Sequence, residues 1–309
     1  MVARLRATIA STVQNKHFAQ LVGLSALWGA SFMLIRIAAP LLGPNVLAAL
    51  RIGMATLTLA VLMRAMRHTW PTGHWRELAL IGLLSVAAPF LLFAWAALKL
   101  PAGYSALLNS TAVVFGIFAS ALFKEDRLTL RKLIGCIFGF AGVGLIVGLG
   151  PVEPSASVYI AALACVIASA CYGFSTPLMK RALSRMQPLQ IAAGLHAMSF
   201  LMLIPGAAWS WPAAQFTPMA LLAVVIMGVV TSGMAYWLHL RILAHVSSVA
   251  AMSPTFMIPV FGVIWGHVFL GEALSTGIFA GGALVLLASA LITGFNPWQK
   301  WLDVADTKL

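Results

Sequence analysis

The chain has 309 residues, of which 61% are hydrophobic and only 8% charged, and its net charge is +12. Soluble domains carry about 25% charged residues and their single cores stop growing near this length, so a water-exposed globular, disordered or disulfide-framed protein is excluded. The basic residues fall in short clusters between apolar runs, which marks membrane topology and gives no nucleic-acid footprint.

A membrane span needs about 20 mostly apolar residues. Residues 1–17 read as a basic cytoplasmic segment. No small-residue cleavage pattern follows, so the first apolar run is read as a retained helix. Ten runs then follow, near 18–38, 44–63, 77–98, 102–123, 132–149, 157–179, 187–206, 217–240, 247–270 and 275–294, with 295–309 as a cytoplasmic tail. The spacing leaves only short loops and no room for a soluble domain. The expected fold is therefore an all-α polytopic membrane protein with ten transmembrane helices. Cys136, Cys165 and Cys171 lie inside apolar runs and read as small buried hydrophobes.

Placing the N-terminus in the cytoplasm puts 16 of the 19 Lys and Arg residues on that side, and only Arg36, Arg51 and Lys99 fall elsewhere. Both termini are expected inside a cell membrane. Trp70, Trp75, Trp298 and Trp301 flank one interface, and Trp209 and Trp211 the other.

The two halves resemble each other. Leu27-Trp28-Gly29-Ala30-Ser31 matches Cys171-Tyr172-Gly173-Phe174-Ser175, and Arg36 matches Lys180. Phe115-Gly116 matches Phe261-Gly262, and Asp126, Leu128, Thr129 and Gly135 match Glu272, Leu274, Ser275 and Gly281. Units 18–149 and 157–294 each hold five spans. Five is odd, so the second unit enters from the opposite side and the repeat is inverted.

Trp28-Gly29-Ala30-Ser31-Phe32, Leu50-Arg51, Phe123-Lys124-Glu125-Asp126-Arg127-Leu128-Thr129 and Leu270-Gly271-Glu272-Ala273-Leu274-Ser275, in this order, resemble the EamA family of the drug/metabolite transporter superfamily. The resemblance covers about Phe18 to Phe295. Glu125-Asp126, preceded by Lys124, departs from the Gly-Glu pair usual at the first turn. The resemblance implies an exporter or facilitator of small metabolites, often amino acids, with a central cavity between the halves.

Polar groups inside a membrane usually face the bundle interior or a wet cavity. Trp28, Ser31, Phe32, Ile35 and Arg36 share one helix face, and Tyr172, Ser175, Thr176, Met179 and Lys180 form the same stripe on span 6. An aromatic beside a hydroxyl on each could hold a zwitterion, or Ser and Gly could simply permit close packing. Asn109, Ser110 and Thr111 stand in a row in span 4, with Thr255 related to Asn109, and Tyr236 follows Ser232-Gly233 in span 8. Substrate contact and interhelical bonding both remain open for them. Arg51 lies about seven residues, ~10 Å, into span 2. No Asp or Glu lies deep in any span, so Arg51 and Arg36 either snorkel to the headgroups or face a carboxylate-bearing substrate. His196 is a mid-span candidate for a proton relay.

The expected substrate-binding set is thus Trp28, Ser31, Arg51, Asn109, Tyr172, Ser175 and Tyr236. The expected partners are a small molecule and the lipid bilayer, with no nucleic acid, cofactor or metal. Gly135-x-x-x-Gly139, Gly262-x-x-x-Gly266 and Gly277-x-x-x-Gly281 could pack within one chain or form a homodimer. An alternative is a multidrug or cation exporter. A membrane enzyme built on Gly103-Tyr104-Ser105-Ala106 is a further one.

Overall fold

The computed structural model describes residues 15–124, 129–148, 152–245, 248–252 and 254–293, and among these there is no strand. The helices are α1 (Asn15–Leu42), α2 (Pro44–Ala65), α3 (Thr72–Ala96), α4 (Ala102–Leu122), α5 (Leu130–Gly148), α6 (Ala156–Ala182), α7 (Pro188–Ser210), α8 (Pro218–His245), α9 (Pro254–Leu270) and α10 (Thr276–Thr293). A short helical turn, Ser248–Ala251, separates α8 from α9. Among the described residues, seven helices are long and apolar enough to cross a membrane: α1 to α4 and α6 to α8. The segments Met257–Leu270 and Thr276–Ala288 are apolar but shorter. Glu125-Asp126 and most of both terminal segments lie outside the described residues.

Local chemistry sets the ends. Gly43, at φ 74°, makes the turn between α1 and α2, and Pro44 opens α2 at a position where a missing N–H costs nothing. Ser155 caps α6 by accepting from the Val158 amide, and Thr217 caps α8 by accepting from Ala220. Gln187 and Gln190 form a reciprocal capping box on α7.

Glycines set the closest helix contacts. A β-carbon on Gly29 of α1 would lie 2.6 Å from Phe261 Cβ of α9, and one on Gly173 of α6 would lie 2.6 Å from the Gly116 amide of α4. Gly142 of α5 and Gly281 of α10 each abut the other's carbonyl. Gly228 of α8 meets the Arg51 carbonyl of α2, and Gly82 of α3 meets the Leu195 carbonyl of α7. No larger residue fits these crossings without separating the helices.

Two helices carry π-helical segments, Leu83–Ala87 in α3 and Ile226–Met234 in α8. α4 is interrupted at Ser110–Thr111, where amides bond three residues back instead of four. Such departures rotate the following side chains and free carbonyls, and they recur at functional sites.

The apolar interior forms two large clusters. One gathers α1, α4 and α6 with the end of α3 and the start of α8; the other gathers α2, α3 and α7 with the ends of α6 and α8. Tyr172 packs against both.

Candidate functional site

A cavity of about 870 Å³, its open mouth included, lies between these clusters. Its walls come from α1, α2, α3, α4, α6, α8 and α9. Trp28, Ser31, Arg51, Asn109, Tyr172, Ser175 and Tyr236 all line it, so the fold brings together the seven residues singled out in the sequence. His196 does not line it. That ring sits behind Tyr236, 4.9 Å away edge to face, with Nδ1 on the Ala192 carbonyl and Nε2 unpartnered.

Arg51 is the centre of the site. The snorkelling expectation fails for it: the side chain is 4% exposed and turns inward. Its Nε donates to Ser232 Oγ at 2.8 Å, and Nη2 reaches Ser31 Oγ and Thr231 Oγ1, both at 3.4 Å. The guanidinium carbon lies 3.9 Å from the Phe90 ring centroid. Burying a cation is costly unless it is paired. Three hydroxyls and an aromatic face ease that cost without neutralising the charge. Among the described residues the acids are Glu77, Glu153 and Glu272, and none lines the cavity.

The π segment of α8 explains how the hydroxyls arrive. Gly228 lets α8 approach the backbone of α2 at Arg51. One turn later the widened helix presents Thr231 and Ser232 together toward α1 and α2. Thr231 also takes Trp28 Nε1–H on its carbonyl at 3.0 Å and Ser31 Oγ on its hydroxyl at 2.8 Å. Trp28, Ser31 and Arg51 are thereby tied to one turn of α8.

Aromatic faces complete the walls. Phe32 and Phe93 meet edge to face at 5.2 Å, and Phe93 stacks on Tyr172 at 6.2 Å. Trp28 and His239 meet at 5.3 Å. His239 lines the cavity with its Nδ1 unpartnered. Ser175 and Thr176 hydroxyls both bond back to the Tyr172 carbonyl.

The sequence missed Thr231, Phe90 and Phe93 as site residues. The Thr231-Ser232 pair one turn before Tyr236 was a usable signal. Nothing local marked the two phenylalanines. Arg36 corrects a second expectation: it is partnered, donating Nη1–H to the Ala97 carbonyl at the end of α3. Lys180 makes the corresponding bond to the Leu243 carbonyl near the end of α8, at 2.6 Å. Glu272 caps α4, accepting from the amides of Ala102 at 2.6 Å and Gly103 at 3.1 Å. Ser105 is buried and lies outside the cavity lining.

Apolar helices long enough to span a bilayer, packed around this cavity, mark a multi-pass membrane protein. The EamA-like transporter family model matches residues 18–148 and again 159–294, and the chain belongs to that family. An uncharacterized transporter of Archaeoglobus fulgidus is 26% identical over 271 residues, covering 86% of this chain and 94% of the relative. The uncharacterized transporter YvbV of Bacillus subtilis is 27% identical, covering 90% and 91%. A probable terminal-alkyne amino-acid exporter of Streptantibioticus cattleyicolor is 26% identical, covering 86% and 89%. A crystal structure superposes with a TM-score of 0.66 at 16% identity, covering 88% of this chain and 94% of the other, which speaks to the fold alone.

Proposed function

We propose that this chain is a secondary transporter or facilitator that moves small carboxylate-bearing metabolites, amino acids and related compounds, outward across the cell membrane by alternating access. The observation that carries the reading is Arg51, a buried guanidinium on the cavity wall with hydroxyl partners and, among the described residues, no carboxylate beside it. A planar cation of this kind suits a carboxylate oxygen pair. The amino-acid exporter among the relatives supports the same substrate class. A lipophilic cation would meet a like charge in a low-dielectric cavity, which disfavours the multidrug alternative despite the aromatic walls.

The proposal includes ten spans, arranged as two inverted five-span units at 18–149 and 157–294, with both termini cytoplasmic. Two successive matches to one family model support it. So do contacts that occur in pairs. Gly29 meets Phe261-Gly262 as Gly173 meets Phe115-Gly116, and Arg36 caps α3 as Lys180 caps α8. Gly82 meets α7 as Gly228 meets α2, each just ahead of or within a π segment.

Cysteine accessibility tests the path. With Cys136, Cys165 and Cys171 replaced, single cysteines at Trp28, Asn109, Tyr172 and Tyr236 should react with a water-soluble thiol reagent, and an amino-acid substrate should protect them. No reaction at any of the four would refute the proposal.

A further inference from the structure

Asn109, Ser110 and Thr111 stand consecutively in α4, yet the fold uses them differently. Ser110 Oγ donates to the Leu107 carbonyl and Thr111 Oγ1 to the Leu108 carbonyl, at 2.5 and 2.8 Å. Those two hydroxyls are occupied by their own helix. Asn109 lines the cavity, is 6% exposed, and its Oδ1 has no hydrogen-bond partner. A buried carbonyl oxygen without a donor is uncommon and calls for one.

Its place in the helix adds a second argument. The first half of α4 runs Ala102–Asn109 and the second restarts at Ala112. Asn109 therefore stands just before the tightened turn, where the Ser110 and Thr111 amides bond back to the Leu107 and Leu108 carbonyls. Nearby carbonyls are already taken: that of Leu108 accepts from both Ser169 and Thr111. The side-chain oxygen of Asn109, enclosed at the cavity wall, is an acceptor left without a donor at this turn.

The cavity thus has a donor pole at Arg51, on α2 and α8, and an acceptor pole at Asn109, on α4. We infer that Asn109 is the specificity-determining residue for a protonated amine, accepting a hydrogen bond from the ammonium of a zwitterion whose carboxylate lies on Arg51. The inference rests on the carboxylate reading of Arg51 given above. A neutral amide recognises the ammonium without the charge of an acid, which suits a site that must also release its substrate. The selected class is small molecules with both groups, such as α-amino acids, in preference to the same acids lacking the amine.

The test is efflux from proteoliposomes containing the full chain, using labelled phenylalanine and leucine against 3-phenylpropionate and 4-methylpentanoate, their des-amino counterparts. The wild-type protein should favour each amino acid. Asn109→Leu should lower the ratio of amino-acid to des-amino flux at least tenfold, while Asn109→Asp, which keeps an acceptor and lacks the amide donor, should preserve it. A ratio unchanged in Asn109→Leu, or lost in Asn109→Asp, would overturn the inference. Arg51→Gln separates the two readings. If it abolishes flux of all four acids while Asn109→Leu leaves the preference intact, only the inference fails. If it alters none, the carboxylate reading itself fails.

Discussion

Arg51 shows how much a single residue can reveal and conceal. Its position seven residues into an apolar run, with no acid deep in any span, marked it as unusual. Its direction was not legible, because snorkelling outward and burial inward leave the same sequence trace. The deciding partners, Ser31, Thr231 and Ser232, come from two other helices. Arg36 illustrates the converse. Its partner is a backbone carbonyl at the end of α3, and no side-chain pattern announces a carbonyl. Lysine carries the charge of Arg51 but lacks the fork that engages several partners at once. Arg51→Lys should therefore keep the protein folded while weakening carboxylate substrate binding by about 1.5–3 kcal/mol, roughly 10- to 150-fold in KM, the range for hydrogen bonds to charged groups. Efflux kinetics at varied internal substrate concentration check this. Phe90→Leu removes the ring 3.9 Å from the guanidinium. Such contacts contribute ~0.5–2 kcal/mol, so a fall in melting temperature is expected, read by fluorescence on heating.

Helix existence was legible at nearly every element, and the irregularities within helices were not. Runs of apolar residues with polar punctuation placed most helices to within a few residues, apart from longer ends on α1 and α8, an earlier start for α3 at Thr72 and a start for α9 seven residues later than expected, at Pro254, after the separate turn Ser248–Ala251. Periodicity does not register one extra residue per turn, so the π segments of α3 and α8 left no trace. Yet the segment in α8 is what brings Thr231 and Ser232 to Arg51. The small-residue crossings were partly legible, through the Gly29 and Gly173 motifs. They make a direct prediction. Gly29→Ala would drive a β-carbon against Phe261 and the Gly262 amide, whereas Gly23→Ala on the same helix meets nothing within 4 Å. Overpacking of this kind costs ~1–3 kcal/mol. Thermal unfolding in detergent should show a clear loss for Gly29→Ala and almost none for Gly23→Ala; equal shifts would contradict the packing account.

At the scale of the whole molecule, the proposed inverted architecture predicts an orientation. Reporter fusions after Gly150 and after Gln299 should read outside and inside respectively, and the reverse pattern would refute it. The cavity extends toward the face where α6 and α8 end and α9 begins, through Met179, His239, Met252 and Thr255. On the other side Phe32 and Phe93 meet edge to face, Gly103 of α4 packs against Val263 of α9, and Glu272 caps α4. Under the proposed topology the face where α6 and α8 end is the cytoplasmic one. The seven candidate residues converge because the helix faces that carry them were readable one at a time. The walls they share with Phe90, Phe93 and Met252 depend on tertiary placement that no single face encodes.

The most direct measurement is saturable efflux from proteoliposomes loaded in parallel with labelled amino acids and with quaternary ammonium cations, comparing wild-type protein with Arg51→Gln. The account predicts saturable amino-acid efflux in the wild type, its loss in Arg51→Gln, and no comparable flux of the cations. Strong cation efflux with none of amino acids, or amino-acid efflux indifferent to Arg51, would contradict it.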